Sequence, residues 1–181
     1  MNATDVLKKD HVEIRRFEKI IAKCSLLLYK KNNVPIKDLE KISFIISEFL
    51  DAIHYTREEN SYFACVSSYD ILQKEIRTFL IEHEFSRRIS QKIMLYLQSM
   101  KNGNDEKEKL ARFLKTYSIY LNDHLAKESK FFDHAQKVLS VEEEAAMLEQ
   151  FQSFVLITTK INEIIKQIGY LENQSWYKNN S

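Results

Sequence analysis

Apolar residues recur at three- and four-residue spacing along most of the chain, the signature of amphipathic helices. Leu7, Ile14, Ile21 and Leu28, with Phe17 and Cys24 beside them, predict a first helix over residues 3–30, and His11 falls inside that apolar row. The polar run KKNNVP interrupts it, and Pro35 suits the first turn of a second helix. That second helix is predicted over about 36–66, with Ile46, Leu50, His54, Glu58 and Tyr62 in one i, i+4 row. After a connector near SSYD, a third helix over about 71–101 carries Ile76, Leu80 and His83 on one stripe. KNGND is the clearest turn in the chain, with Gly103 as a helix stop. A fourth helix over about 105–138 stacks Leu110, Leu114, Tyr117, Leu121, His124, Glu128 and Phe131. Ser140 and Glu143 form a Ser-x-x-Glu capping box for a fifth helix running to about 170 on Phe151, Val155, Ile161, Ile165 and Ile168. The pattern therefore predicts an all-α protein: an up-down-up-down four-helix bundle over residues 1–138, an additional C-terminal helix over 139–170 packed on it, and a frayed tail over 171–181.

Composition strengthens this picture. Two glycines and one proline in 181 residues are too few for the tight turns a sheet protein needs, whereas long helices need none. A net charge of +1 with interleaved acids and bases gives no field for nucleic acid and reads as solvated helix faces. No window approaches the length of a membrane span and the N-terminus has no secretory pattern, so a cytoplasmic protein with neither membrane nor nucleic-acid partner is expected. Cys24 and Cys65 lack metal-type spacing and read as buried free thiols.

The histidines reveal an internal repeat. His11 is followed by Arg15 and Arg16, and His83 by Arg87 and Arg88; His54 is followed by Glu58 and His124 by Glu128, each four residues on. Two helical hairpins thus carry one plan, which implies a pseudo-two-fold bundle. Residues four apart lie one turn apart on the same helix face. A carboxylate on an apolar face is costly unless a cation or a donor meets it, and two facing carboxylates repel. A pair of metal ions resolves both problems: Glu58 and Glu128 bridge, and His11, His54, His83 and His124 fill further positions. Two octahedral ions in such a nitrogen and oxygen set suit iron or manganese, and positions remain for a small exogenous ligand. A lone core histidine is ordinarily just hydrogen-bonded; four, one per helix, argue for a shared site. His134 lies off this line near a helix end and reads as a surface group or as a support behind the row. Glu59 and Glu84 flank the row as solvent-facing groups or as supports behind it, and Arg15 and Arg87 either neutralise buried carboxylates or face solvent.

Over about residues 5–138 the sequence resembles the hemerythrin-like HHE cation-binding domain. DHVEIRR is similar to that family's first motif, HYTREE to its His-x-x-Lys-Glu-Glu, EHEFSRR to its Glu-His-x-x-Gly-Arg, and HLAKE to its His-x-x-Lys-Glu. The resemblance implies a non-haem di-iron centre, oxo- or hydroxo-bridged, with iron ahead of manganese or zinc. It implies a protein that binds dioxygen or nitric oxide for storage, sensing or protection, and a ligand-binding protein ahead of an enzyme. Alternatives are turnover of peroxide or nitric oxide, iron donation to damaged iron–sulfur clusters, and an iron-responsive module acting through a homodimer or protein partner at the C-terminal helix. Three departures stand out. Arg87 occupies the place where the oxygen carriers have a second histidine on the third helix. Glu128 stands at +4 where they have an aspartate at +5. Ser86 replaces the family glycine. A tyrosine such as Tyr55 or Tyr120 is a candidate for the missing ligand.

Overall fold

The computed structural model describes residues 1–152 and 155–178, with Val155 and Leu156 described for their backbone alone. Helix α1 (Ala3–Tyr29) begins with a capping box in which the Asn2 side chain accepts from the Asp5 amide and Asp5 answers to the Asn2 amide. It ends where Lys31 turns into the left-handed region at φ 58°, while the Asn32 amide bonds back to Leu27. Pro35 stands just ahead of α2 (Ile36–Ile45) rather than within its first turn. The helix then widens into π-helical turns over Ile46–Tyr55 and Glu58–Tyr62 before closing with α3 (Phe63–Val66). A 3₁₀ turn over Asp70–Leu72 leads into α4 (Gln73–Lys101), and Gly103 at φ 91° makes the reversal into α5 (Lys107–Ala135). Only glycine adopts that backbone conformation without strain.

Cross-links between the helices show that every neighbour is antiparallel. Lys8 reaches Asp133 and Glu18 reaches Ser118 between α1 and α5; Tyr55 reaches Ser86, and Glu40 reaches Lys101, between the second rod and α4. Ser86 reaches Tyr117 between α4 and α5, and Asp10 reaches Arg57 between α1 and the second rod. The all-α, up-down-up-down bundle expected from the apolar pattern is the fold.

The core is divided along the bundle axis. One apolar cluster gathers Ile14, Phe17, Phe49, Leu50, Ile93, Leu114 and Leu121 with the C-terminal Ile168 and Trp176. The other gathers Ala3, Leu7, Phe63, Phe79, Phe131 and Phe132 with Met147 and Phe151. Between them lies a layer of buried histidine and carboxylate. Leu80, expected on the buried stripe of α4, is 42% exposed, and Phe79 takes its place in the core.

The fifth helix expected over 139–170 is two helices, α6 (Val141–Gln152) and α7 (Val155–Glu172). The Ser140–Glu143 capping box opens α6 as expected, with bonds of 2.8 and 3.1 Å. Phe151 and Ile168 are buried, Ile161 and Ile165 are half-buried, Ile164 joins the core, and the side chain of Val155 lies outside the described residues. The tail is not frayed over 171–178. Leu171 is buried, α8 (Ser175–Lys178) follows, and the Trp176 indole, buried against the first cluster, donates to Asp38 at 2.8 Å; residues 179–181 lie outside the described set. The expectation failed because two adjacent aromatics, Trp176 and Tyr177, in a polar stretch leave no periodicity to read. Cys24 is buried and Cys65 only partly so; both are free thiols. Among the described residues no helix is long and apolar enough to cross a membrane.

Candidate metal centre

The polar layer holds all six side chains singled out by the repeat: His11 from α1, His54 and Glu58 from the π-helical rod, His83 from α4, and His124 and Glu128 from α5. His54, Glu58, His83 and Glu128 are fully buried, and His11 and His124 nearly so. Two groups in this layer could each hold a cation, His11–His54–Glu58–Glu128 and His83–His124–Glu128.

Each glutamate reaches both groups. Glu128 Oε2 lies 3.2 Å from His11 Nε2 and 3.2 Å from His124 Nε2, and its Oε1 lies 3.6 Å from His83 Nε2. Glu58 Oε1 lies 3.2 Å from His54 Nε2 and 4.0 Å from His11 Nε2, while its Oε2 lies 3.4 Å from His83 Nε2. The His54–Glu58 pair sits in π-helical turns and the His124–Glu128 pair in regular α-helix, yet both close to the same 3.2 Å. π-Helical widenings of a helix concentrate at functional sites, and here they extend over Ile46–Tyr55 and Glu58–Tyr62.

The outer imidazole nitrogens are held by carboxylates that repeat reading only partly anticipated. His83 Nδ1 donates to Glu59 Oε1 at 2.8 Å, and Arg87 grips both oxygens of the same carboxylate. His124 Nδ1 donates to Glu82 at 2.7 Å, with Lys127 on the other oxygen. His54 Nδ1 faces Asp10 at 3.5 Å, and Arg57 holds that carboxylate at 3.1 Å. Asp10 and Glu82 were missed in the sequence. The repeat marks their positions without marking the contact: each immediately precedes a repeat histidine, and each is gripped across helices by the basic residue that precedes the repeat glutamate. Glu84 pairs with Arg88 on the surface, and Arg15 and His134 are exposed. Arg87 neutralises Glu59 and Asp51 rather than Glu58 or Glu128.

The tyrosine candidates are occupied elsewhere. The Tyr55 hydroxyl bonds Ser86 and Tyr120 at 3.2 Å each, and Ser86 donates to Tyr117 at 3.0 Å. Their rings instead stack on the imidazoles, Tyr55 on His83 at 3.8 Å and Tyr120 on His124 at 5.1 Å. Burial raises both phenols further from ionisation.

Charge in the layer is unequally shared. Burial, with the charge of Glu128 next, pushes the Glu58 carboxyl well up. Burial opposes ionisation of Glu128 too, but the imidazoles of His124, His11 and His83 outweigh it and hold that carboxyl well down. Burial drives His54 down to about 4. His124 rises to about 9 against burial because Glu128 and Glu82 face it.

These residues fit a cation pair. Both oxygens of Glu58 and of Glu128, and both ring nitrogens of His11 and His54, are buried with no hydrogen-bond partner among the described residues. His83 and His124 each give their Nδ1 proton to a carboxylate, so their Nε2 lone pairs face each other across 3.2 Å. Such an arrangement is repulsive unless a proton or a cation lies between. A converging set of orphaned nitrogen and carboxylate donors is what a buried metal needs. The model of the hemerythrin HHE cation binding domain matches residues 2–135. No curated protein and no solved structure matches the chain.

Proposed function

Since the chain belongs to the hemerythrin HHE cation-binding family, we propose that His11, His54, Glu58, His83, His124 and Glu128 hold two iron ions, at which the protein binds dioxygen or nitric oxide for storage, sensing or protection. The observation that carries this reading is the set of orphaned donor atoms converging from four helices. Bound there, a redox-active cation pair supplies open coordination positions for a small diatomic ligand. The chain's own residues do the rest. Glu58 and Glu128 span both positions and offset the positive charge. Glu59 and Glu82 fix the Nδ1 protons of His83 and His124, so the Nε2 atoms point inward as donors. Tyr55 and Tyr120 from the first cluster and Phe132 from the other press on the imidazoles and exclude water from both sides of the layer.

Metal analysis of aerobically purified protein together with its optical spectrum tests the proposal. Two irons per chain are expected, with a visible absorption that changes when the reduced protein meets dioxygen or nitric oxide. Metal-free protein, or a spectrum indifferent to both gases, removes it.

One contact favours a second reading, an iron-responsive module. Tyr62, one turn beyond Glu58, hydrogen-bonds the Thr4 hydroxyl at 2.7 Å, and Glu144 of α6 accepts from both the Thr4 amide and that hydroxyl. The ligand-bearing rod is thereby tied to the C-terminal helices. If this reading holds, withdrawing iron speeds amide exchange in α6; unchanged exchange there rejects it.

A further inference from the structure

The pseudo-two-fold repeat places two imidazoles on each metal position, yet what stands behind them differs. At the His83–His124 position both Nδ1 atoms make short bonds to carboxylates, 2.8 Å to Glu59 and 2.7 Å to Glu82. Each carboxylate is in turn gripped by a cation, Arg87 or Lys127. At the His11–His54 position His11 Nδ1 has no partner, and His54 Nδ1 faces Asp10 only at 3.5 Å, without a hydrogen bond. The residue that follows Glu58 is Glu59; its repeat counterpart after Glu128 is Ser129, which returns its hydroxyl to the Leu125 carbonyl and has no carboxylate to offer His11. Arg87, one turn beyond His83, holds both oxygens of Glu59.

Two further differences point the same way. The ligand pair His54–Glu58 rides on π-helical turns, whereas His124–Glu128 rides on regular α-helix. The His83–His124 position is roofed by the Tyr55 and Tyr120 rings. On the opposite side a cavity of ≈ 170 Å³, lined by Asp10, Arg57, Phe151 and Ile161, approaches the carboxylate behind His54.

A carboxylate behind an imidazole fixes its tautomer and orientation and makes the inward nitrogen a better donor; losing such a partner typically weakens metal binding about 10- to 100-fold. Resting on the two-metal reading above, we propose that the two positions are unequal: the His83–His124 position fills first and holds its ion, with Glu59 and Glu82 as positioning residues, while the His11–His54 position exchanges.

Titration of the full-length, metal-free chain with cobalt(II) under argon, followed by d–d absorption and calorimetry, tests this. Wild type takes two ions in separate steps with dissociation constants about 10- to 100-fold apart. His11→Ala abolishes the weak step and keeps the tight one. Glu59→Gln and Glu82→Gln each weaken the tight step about tenfold and leave the weak step in place, a selectivity that general loosening of the fold does not produce. Should Glu82→Gln lose its helical circular dichroism, Glu59→Gln and Arg87→Ala, both at half-buried positions, carry the comparison. Two steps of indistinguishable affinity, loss of the tight step in His11→Ala, or an undisturbed tight step in the glutamine variants overturns the inequality. Failure to bind cobalt at all overturns the two-metal reading itself.

Discussion

Glu58 and Glu128 are the same residue in two copies of one motif, and the layer treats them oppositely. Burial beside a second carboxylate favours the protonated form of Glu58, whereas three imidazoles keep Glu128 ionised. In the metal-free protein Glu58→Gln therefore replaces a nearly neutral group with a neutral one, and changes unfolding free energy by less than about 1 kcal/mol. Glu128→Gln strips the charge that His124 faces and costs about 3 kcal/mol, as expected for a broken buried ion pair. Chemical denaturation of both variants without metal checks the difference; equal losses contradict the unequal sharing of charge. The six central side chains were legible in the sequence because helical geometry turns a spacing of four into a shared face. Asp10 and Glu82 were not, because an acid beside a histidine on a charged helix reads the same whether it meets solvent or an imidazole on the next helix. The alternating contact, Arg57 to Asp10 and Lys127 to Glu82, crosses between helices, and no one-dimensional pattern records it.

Helices were read with their limits nearly right wherever an apolar row ran unbroken, as in α1, α4 and α5. Two things escaped. The π-helical widening of residues 46–62 changes hydrogen-bond register without changing which residues are apolar, so a side-chain pattern is blind to it. The last helix was missed because its anchors are a neighbouring pair without helical spacing: Trp176, the chain's only tryptophan, lies between the first cluster and Asp38, and Tyr177 packs on the same cluster. Indole is an effective anchor when its ring is buried and its N–H finds an acceptor. Removing the acceptor deletes this buried bond, so Asp38→Ala is expected to cost about 1–3 kcal/mol and to shift tryptophan emission to the red. An unshifted spectrum means that α8 stays docked without the bond.

For the molecule as a whole, dividing the core with a titratable layer makes metal-free stability depend on pH in two directions. His54 is held at about 4, below the ordinary histidine value, so the unfolded chain takes up its proton first and stability falls as pH drops from about 6.5 towards 4. His124 is held at about 9, so the native state keeps a proton that the unfolded chain releases. Its contribution is complete below about 6.5 and is lost as pH rises through about 9. Glu58, held well up, works against His54 over the acid range, since its raised carboxyl loses stability as pH climbs; guanidinium midpoints of the metal-free protein should therefore change little between pH 5 and 7 and fall from 7 to 9. A midpoint that climbs steadily to pH 9 contradicts this balance of burial and charge.

Glu144 lies beyond residue 135, where the family match stops, yet it receives the amide and hydroxyl of Thr4 in the first turn of α1, and its neighbours Met147 and Phe151 complete the apolar cluster beneath His11. The recognisable portion of the chain is thus not a self-sufficient building block. Excised at the edge of its motifs, it would keep all six side chains of the polar layer and lose the lid that keeps their floor dry.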